Sequence, residues 1–248
     1  MLKKIKQKIG SFIAANQYHP SFVGFWVNPF WLCRRELYCK LHNYAPSMQG
    51  RILDFGCGTG PYRALLAAAT EYIGLEYDSP ENRVNKRADI YYDGQTIPLE
   101  DASLDGVLST QTLEHVPNPT RIINEWARVL RPGGYLLLTV PFIWPEHEMP
   151  FDFQRYTTNG LRLMLEKGGF EIIAQERLLC DCRAPAQLFL AWLYDSLRFS
   201  SRKPITQLLL SVFLFAPVSL MATLLAIVMP ATSNTYLDNL ILAKRVSI

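Results

Sequence analysis

Three alternating glycines, Gly56, Gly58 and Gly60, follow the short apolar run Arg51-Ile52-Leu53-Asp54-Phe55 and precede Arg63-Ala64-Leu65-Leu66, which reads as helix. Glycine lets the backbone turn sharply and lets a ligand approach where a Cβ would otherwise stand. Glu76 closes the next apolar run, 20 residues beyond Gly56. A carboxylate at that place can accept both hydroxyls of a ribose, so the pair points to a nucleoside-containing ligand. The glycine spacing narrows the choice. A dinucleotide fingerprint calls for glycine at 61, where the chain has Pro61 and therefore no N–H to offer a pyrophosphate. No Gly-Lys-Ser/Thr follows the loop, which excludes a P-loop. Gly-x-Gly-x-Gly suits a ligand without phosphate.

Strands must carry these residues. Arg51–Phe55, Tyr72–Glu76, Gly106–Ser109 and Tyr135–Val140 read as short buried strands. Between the last two, Ile122, Ile123, Trp126, Val129 and Leu130 mark one face of an amphipathic helix that begins at Pro119 and ends at Arg131-Pro132-Gly133-Gly134. Alternating strands and helices imply a parallel sheet covered on both faces, with its ligand at the carboxyl ends of the strands.

The stretch from Arg51 to Phe142 resembles the class I S-adenosylmethionine-dependent methyltransferases. The resemblance runs through Ile-Leu-Asp-Phe-Gly-Cys-Gly-Thr-Gly, Gly74-Leu75-Glu76, Asp93-Gly94-Gln95-Thr96-Ile97-Pro98-Leu99, Ser103-Leu104-Asp105-Gly106-Val107, Leu113-Glu114-His115-Val116 and Arg128-Val129-Leu130-Arg131-Pro132-Gly133-Gly134. Glu76 stands where many members carry aspartate. The resemblance implies an α/β fold, a doubly wound, mostly parallel seven-stranded sheet, with S-adenosylmethionine as cofactor. It implies that Gly56, Cys57, Gly58 and Gly60 pass under the methionine part, with Asp54 supporting the loop. Glu76 would hold the ribose, Asp93 would accept from the adenine amino group with Gly94 beside it, and Thr110 and Gln111 would line the sulfonium end.

The segment Pro141–Thr157 leaves the carboxyl end of the last of these strands and sets Glu146, His147, Glu148, Asp152 and Arg155 among aromatic residues. It resembles a segment of bacterial methyltransferases associated with surface-glycan synthesis. Methyl transfer is largely a matter of alignment, but a hydroxyl acceptor must lose its proton, and an imidazole does this at neutral pH. His147 is the expected base, with Asp152 orienting it. Arg155, Tyr156 and His115 are expected on the acceptor side, Arg155 toward an anionic group. One histidine among Glu146, Glu148 and Asp152 reads as a polar loop, so no metal is expected.

Of 248 residues 49% are apolar, enough for a sizeable core, and the net charge of +3 with no basic run argues against nucleic acid. Five cysteines without paired spacing fit a reducing compartment. Leu2, Ile5, Ile9 and Phe12 share a helical face with Lys3, Lys4, Lys6 and Lys8 mostly off it, and no signal peptide is read there. Leu208–Met229 contains no charge and follows Arg198, Arg202 and Lys203, which places that flank in the cytoplasm. Pro217 is expected to break this segment so that the chain dips into a bilayer and returns for a closing strand near Tyr236–Lys244. The organisation expected is a helical extension over 1–49, a cofactor-binding core over 50–181, an apolar membrane-associating insertion over 182–232 and the closing strand within 233–248. The function expected is O-methylation of a membrane-linked glycan or lipid intermediate on the cytoplasmic face of a bacterial inner membrane. Rival readings are methylation of a quinone-like lipid and a catalytically silent membrane adaptor.

Overall fold

A computed structural model describes residues 12, 16, 18, 20–232 and 234–246. The expected amphipathic face at Leu2, Ile5 and Ile9, with its lysines, lies outside the described residues.

The chain forms two compact units. One comprises Leu41–Arg177 with the strand Asp238–Arg245, the other Leu178–Leu237 with the residues before 41. The divisions thus fall at 41, 178 and 238, where the sequence reading set 50, 182 and 233.

In the first unit a seven-stranded sheet has the order β3-β2-β1-β4-β5-β7-β6. The strands are β1 (Gly50–Phe55), β2 (Ala69–Tyr77), β3 (Ile90–Tyr92), β4 (Leu104–Thr110), β5 (Leu130–Pro141), β6 (Phe170–Leu178) and β7 (Asp238–Arg245). β1, β4 and β5 are central and covered on both faces, which is why they read as continuous apolar runs. The helix Pro119–Val129 is capped by the Asn118 side chain and buries Ile122, Ile123 and Trp126 in the same core as Leu53, Phe55 and Leu138. The strand order reverses between β1 and β4, the topological switch point at which such sheets hold ligands.

The sheet is mixed, which corrects the expectation of a mostly parallel one. β7 runs antiparallel to β5, with Asp238 opposite Pro141 and Lys244 opposite Tyr135. The cause lies in the chain's return. The Leu237 N–H donates to the Leu178 carbonyl at 3.0 Å, so β7 starts where β6 ends and must run back the other way. The helix expected after the glycine loop is a single 3-10 turn, Arg63–Leu65, because β2 begins at Ala69 and leaves no room for more.

In the second unit Phe22–Val27 is a short helix capped by Ser21, and Arg183–Ser196 is a longer one. Buried Gln187 accepts the Cys33 N–H and donates to the Pro29 carbonyl. The apolar segment is helical throughout, Pro204–Val228, with a π turn at Ser211–Phe215. Pro217 therefore does not break it. The wider turn just before the proline absorbs its missing N–H and its ring.

Candidate active site

The glycine loop leaves β1 with Gly56, Gly58 and Gly60 all in the left-handed region, at φ 71°, 56° and 71°. The Gly56 and Cys57 N–H groups both donate to the Leu75 carbonyl, which ties the loop to β2. A Cβ on Gly56 would lie 2.2 Å from Thr112 Cγ2, so that glycine is there for close packing. A Cβ on Gly58 would meet nothing within 4 Å. The backbone at Gly58 therefore borders open space.

Two carboxylates flank the loop. Glu76 accepts the Gly58 N–H at 2.9 Å through Oε2 and the Tyr77 N–H at 3.2 Å through Oε1. Each oxygen keeps a lone pair for another donor. Asp54 is buried; its Oδ2 accepts the Tyr72 hydroxyl at 2.6 Å and its Oδ1 has no partner. Burial lifts the Asp54 carboxyl to about 6, against the Tyr72 hydrogen bond and with help from the Glu76 charge. Cys57 is buried and its thiol is pushed up to about 12 by burial, so it is a packing residue and no nucleophile.

A pH effect follows from Asp54. Folded, it holds its proton up to about pH 6; unfolded, it releases it near 3.8. Its contribution to stability is fully present below pH 3.8 and is lost as pH rises through about 6. Asp54→Asn is expected to flatten the decline in melting temperature of the ligand-free protein between pH 4 and 7, followed by thermal denaturation in that window. An unchanged slope would show that Asp54 is already ionised in the folded chain.

Asp93 and Gly94 follow β3. Asp93 is solvent-exposed and accepts the Gln95 and Thr96 N–H groups through Oδ1, which leaves Oδ2 available. Thr110 ends β4, and Gln111 next to it takes the left-handed conformation at φ 51°, rare for a residue with a side chain. Its N–H donates to the Thr139 carbonyl.

Beyond β5, the loop through Asp152 lies against the turn Leu113–His115. The Phe153 N–H donates to the Glu114 carbonyl, the Tyr156 hydroxyl to the Leu113 carbonyl, and His115 Nδ1 lies 2.8 Å from the Phe151 carbonyl. The His115 and His147 rings meet edge to face, centroids 4.8 Å apart. His147 Nδ1 faces two acceptors, Asp152 Oδ2 at 3.2 Å and the Pro145 carbonyl at 3.3 Å, so it carries the proton and Nε2 is bare. Burial first, then His115, lowers the pKa of His147 against the pull of Asp152, so the ring is neutral at neutral pH. Burial pushes Asp152 up, but the paired bonds from Arg155 and the His147 N–H outweigh it and hold the carboxyl at about 2.

Two residues expected on the acceptor side are occupied within the protein. All five Arg155 N–H groups are used, on Asp152 Oδ1 and Oδ2 and on the carbonyls of Trp144, Pro145 and Gln154. Arg155 is the staple of the loop and has no donor left for an anionic acceptor. Tyr156 is buried with its hydroxyl spent on Leu113. Two further groups stood outside the expected set. Tyr72 is in plain view on β2, but nothing in its spacing marks its hydroxyl as the partner of Asp54. Glu114 is fully buried with both carboxyl oxygens unpartnered, and burial raises it to about 8.

Residues 53–138 match the methyltransferase domain family model. A protein of Mycolicibacterium smegmatis named "Probable S-adenosylmethionine-dependent methyltransferase" is 34% identical over 157 residues, 58% of this chain and 60% of that protein. The chain thus spans less than two thirds of that relative's length. Among solved structures, the cyclase SpnF aligns with a TM-score of 0.56 at 21% identity, covering 87% of this chain and 82% of its own. Phosphoethanolamine N-methyltransferase 2 of Haemonchus contortus, in complex with S-adenosyl-L-methionine, aligns at 0.53 and 16% identity, covering 86% and 52%. A methyltransferase domain model thus matches residues 53–138, and the fold is the Rossmann-like fold of these solved structures.

Proposed function

We propose that the chain is an S-adenosylmethionine-dependent methyltransferase that O-methylates a membrane-linked glycan or lipid intermediate at the cytoplasmic face of a membrane. The observation that carries the cofactor assignment is the open space over Gly58, whose N–H is held by Glu76, in a loop that follows the buried Asp54 with its unpartnered Oδ1. Glu76 would hold the ribose, and Asp54 offers a buried acceptor suited to an ammonium group. S-adenosylmethionine supplies a methyl group on a sulfonium, a good leaving group that departs as a neutral thioether. The chain's residues must align the acceptor and take its proton. His147 is neutral, is oriented through Nδ1 by Asp152, and has Nε2 free to accept the hydroxyl proton.

Support for the membrane reading comes from an inverted helix. Along Pro204–Val228 the buried positions are Ser211, Phe215, Ala216, Ser219 and Ala222, four of them small, while Phe213, Leu220, Leu224, Ile227 and Val228 are exposed. Large apolar side chains outward and, Phe215 apart, small ones inward is the reverse of a water-facing helix. At about 1.5 Å per residue the helix has the length of a bilayer core, yet it is tied to the unit it belongs to both within the helix and just beyond its end. Ser211 donates to the Val27 carbonyl and Thr232 to the Cys180 carbonyl. That suits a helix lying in the interface.

Incubating bacterial membranes with methyl-labelled cofactor and the protein tests both parts. Label is expected in the lipid extract, and Phe213→Glu with Leu224→Glu is expected to lose most of it while cofactor affinity stays unchanged. Label confined to water-soluble products would refute the lipid-linked acceptor. Cofactor binding with no labelled product would favour the silent adaptor.

A further inference from the structure

We propose that Glu114, His115 and His147 bind one divalent transition-metal ion of the zinc type, with a fourth position left for the acceptor's hydroxyl. One ligand atom from each of the three lies within 4.8 Å of the others. His115 Nδ1 faces the Phe151 carbonyl, an acceptor, and so carries the ring proton, which leaves Nε2 bare. The same reasoning leaves His147 Nε2 bare. His115 Nε2 stands 3.8 Å from Glu114 Oε1. Donors at zinc bond lengths of about 2.0–2.1 Å in a tetrahedron lie about 3.3 Å apart, so this edge needs a shift of only about half an ångström.

Glu114 supplies the independent observation. It is fully buried, both its oxygens lack a partner, and one points at a bare imidazole nitrogen. A buried carboxyl group without hydrogen bonds is costly unless it is paired or binds a cation. Two imidazoles and one carboxylate with an open position form a recurrent catalytic zinc set. Each imidazole also has the outer partner such sites use: Asp152 behind His147 and the Phe151 carbonyl behind His115. Glu146 and Glu148, the carboxylates nearest His147 in sequence, are outside the cluster.

The inference rests on the proposed reading of the acceptor as a hydroxyl compound and changes one role within it. With the ion bound, His147 Nε2 is a ligand. The coordinated hydroxyl gives its proton to water, its oxygen bonds to the methyl carbon, and the carbon–sulfur bond breaks with its electron pair left on sulfur.

Calorimetric titration of the chelator-stripped full chain with Zn²⁺ is the test, with Co²⁺ as a spectroscopic stand-in. One saturable site and a visible band of four-coordinate Co²⁺ are expected. Glu114→Gln, His115→Ala and His147→Ala should each weaken binding by about 100-fold or more, beyond the 10- to 100-fold effect of outer partners. S-adenosylmethionine affinity, measured on the same samples, should stay unchanged and so report that each variant is folded. No saturable binding, or binding that survives in all three variants, would overturn the site. Loss of cofactor binding by the unmodified chain would instead overturn the methyltransferase reading beneath it.

Discussion

Gly58→Leu is expected to weaken S-adenosylmethionine binding by at least about 100-fold, roughly 2.7 kcal/mol, while the protein stays folded. Three glycines share the loop, but only this one separates the two effects cleanly. At Gly56 any side chain runs into Thr112, 2.2 Å from the new Cβ, so a substitution there disturbs the fold itself. At Gly60 the nearest atom to a new Cβ is the Tyr72 hydroxyl at 3.6 Å, beside the partner of Asp54. At Gly58 a new Cβ touches no protein atom, so a leucine there projects into the space assigned to the cofactor. The cost to folding is the left-handed backbone at φ 56°, about 1–2 kcal/mol for a residue with a Cβ, within the margin of an ordinary domain. Gly58→Ala carries the same backbone cost with less bulk and should bind with intermediate affinity. Calorimetry that finds Gly58→Leu binding the cofactor as tightly as the unmodified chain would remove this loop from the cofactor site.

The loop was legible because its chemistry is local. Glycine spacing, the preceding strand and the acid at the end of the next strand are all sequence neighbours, and the structure joins Gly58 to Glu76 by a hydrogen bond. The central strands were legible for a related reason: burial on both faces writes a continuous apolar run. β6 carries Glu171, Gln175, Glu176 and Arg177 on an incompletely covered strand beside β7 at the end of the sheet, so its pattern is not that of a core strand. The direction of β7 depends on where the chain re-enters the sheet, and no local pattern encodes that. In the same way Arg155 read as an anion binder by residue type. Its five donors are consumed by Asp152 and three carbonyls that only the folded loop brings together. Glu114 sits in the Leu-Glu-His-Val motif, but its unpartnered burial exists only once Pro141–Tyr156 folds over the turn that holds it.

His147→Ala is expected to lower kcat by about 10²–10⁴-fold, with S-adenosylmethionine affinity unchanged. The expectation rests on how little else the substitution removes. The loop is held by Arg155, whose bonds to Asp152, Trp144, Pro145 and Gln154 do not involve the imidazole. The His147 backbone N–H donates to Asp152 Oδ2 at 2.9 Å, and alanine retains it. Asp152 loses only the ring N–H and keeps Arg155 and the backbone N–H of residue 147, so its charge stays paired. Removing Asp152 instead would free both Arg155 and the His147 ring, and a loss of activity there would not separate chemistry from folding. What alanine deletes at 147 is the ring with its bare Nε2. A loss is expected whether that nitrogen takes the hydroxyl proton itself or holds the ion that acidifies the hydroxyl. The glycine loop, Glu76 and Asp54 are untouched, so cofactor binding has no reason to change. Turnover measured at saturating acceptor decides the matter. A kcat within a few-fold of the unmodified chain would make His147 a packing partner of His115 and place the proton acceptor elsewhere.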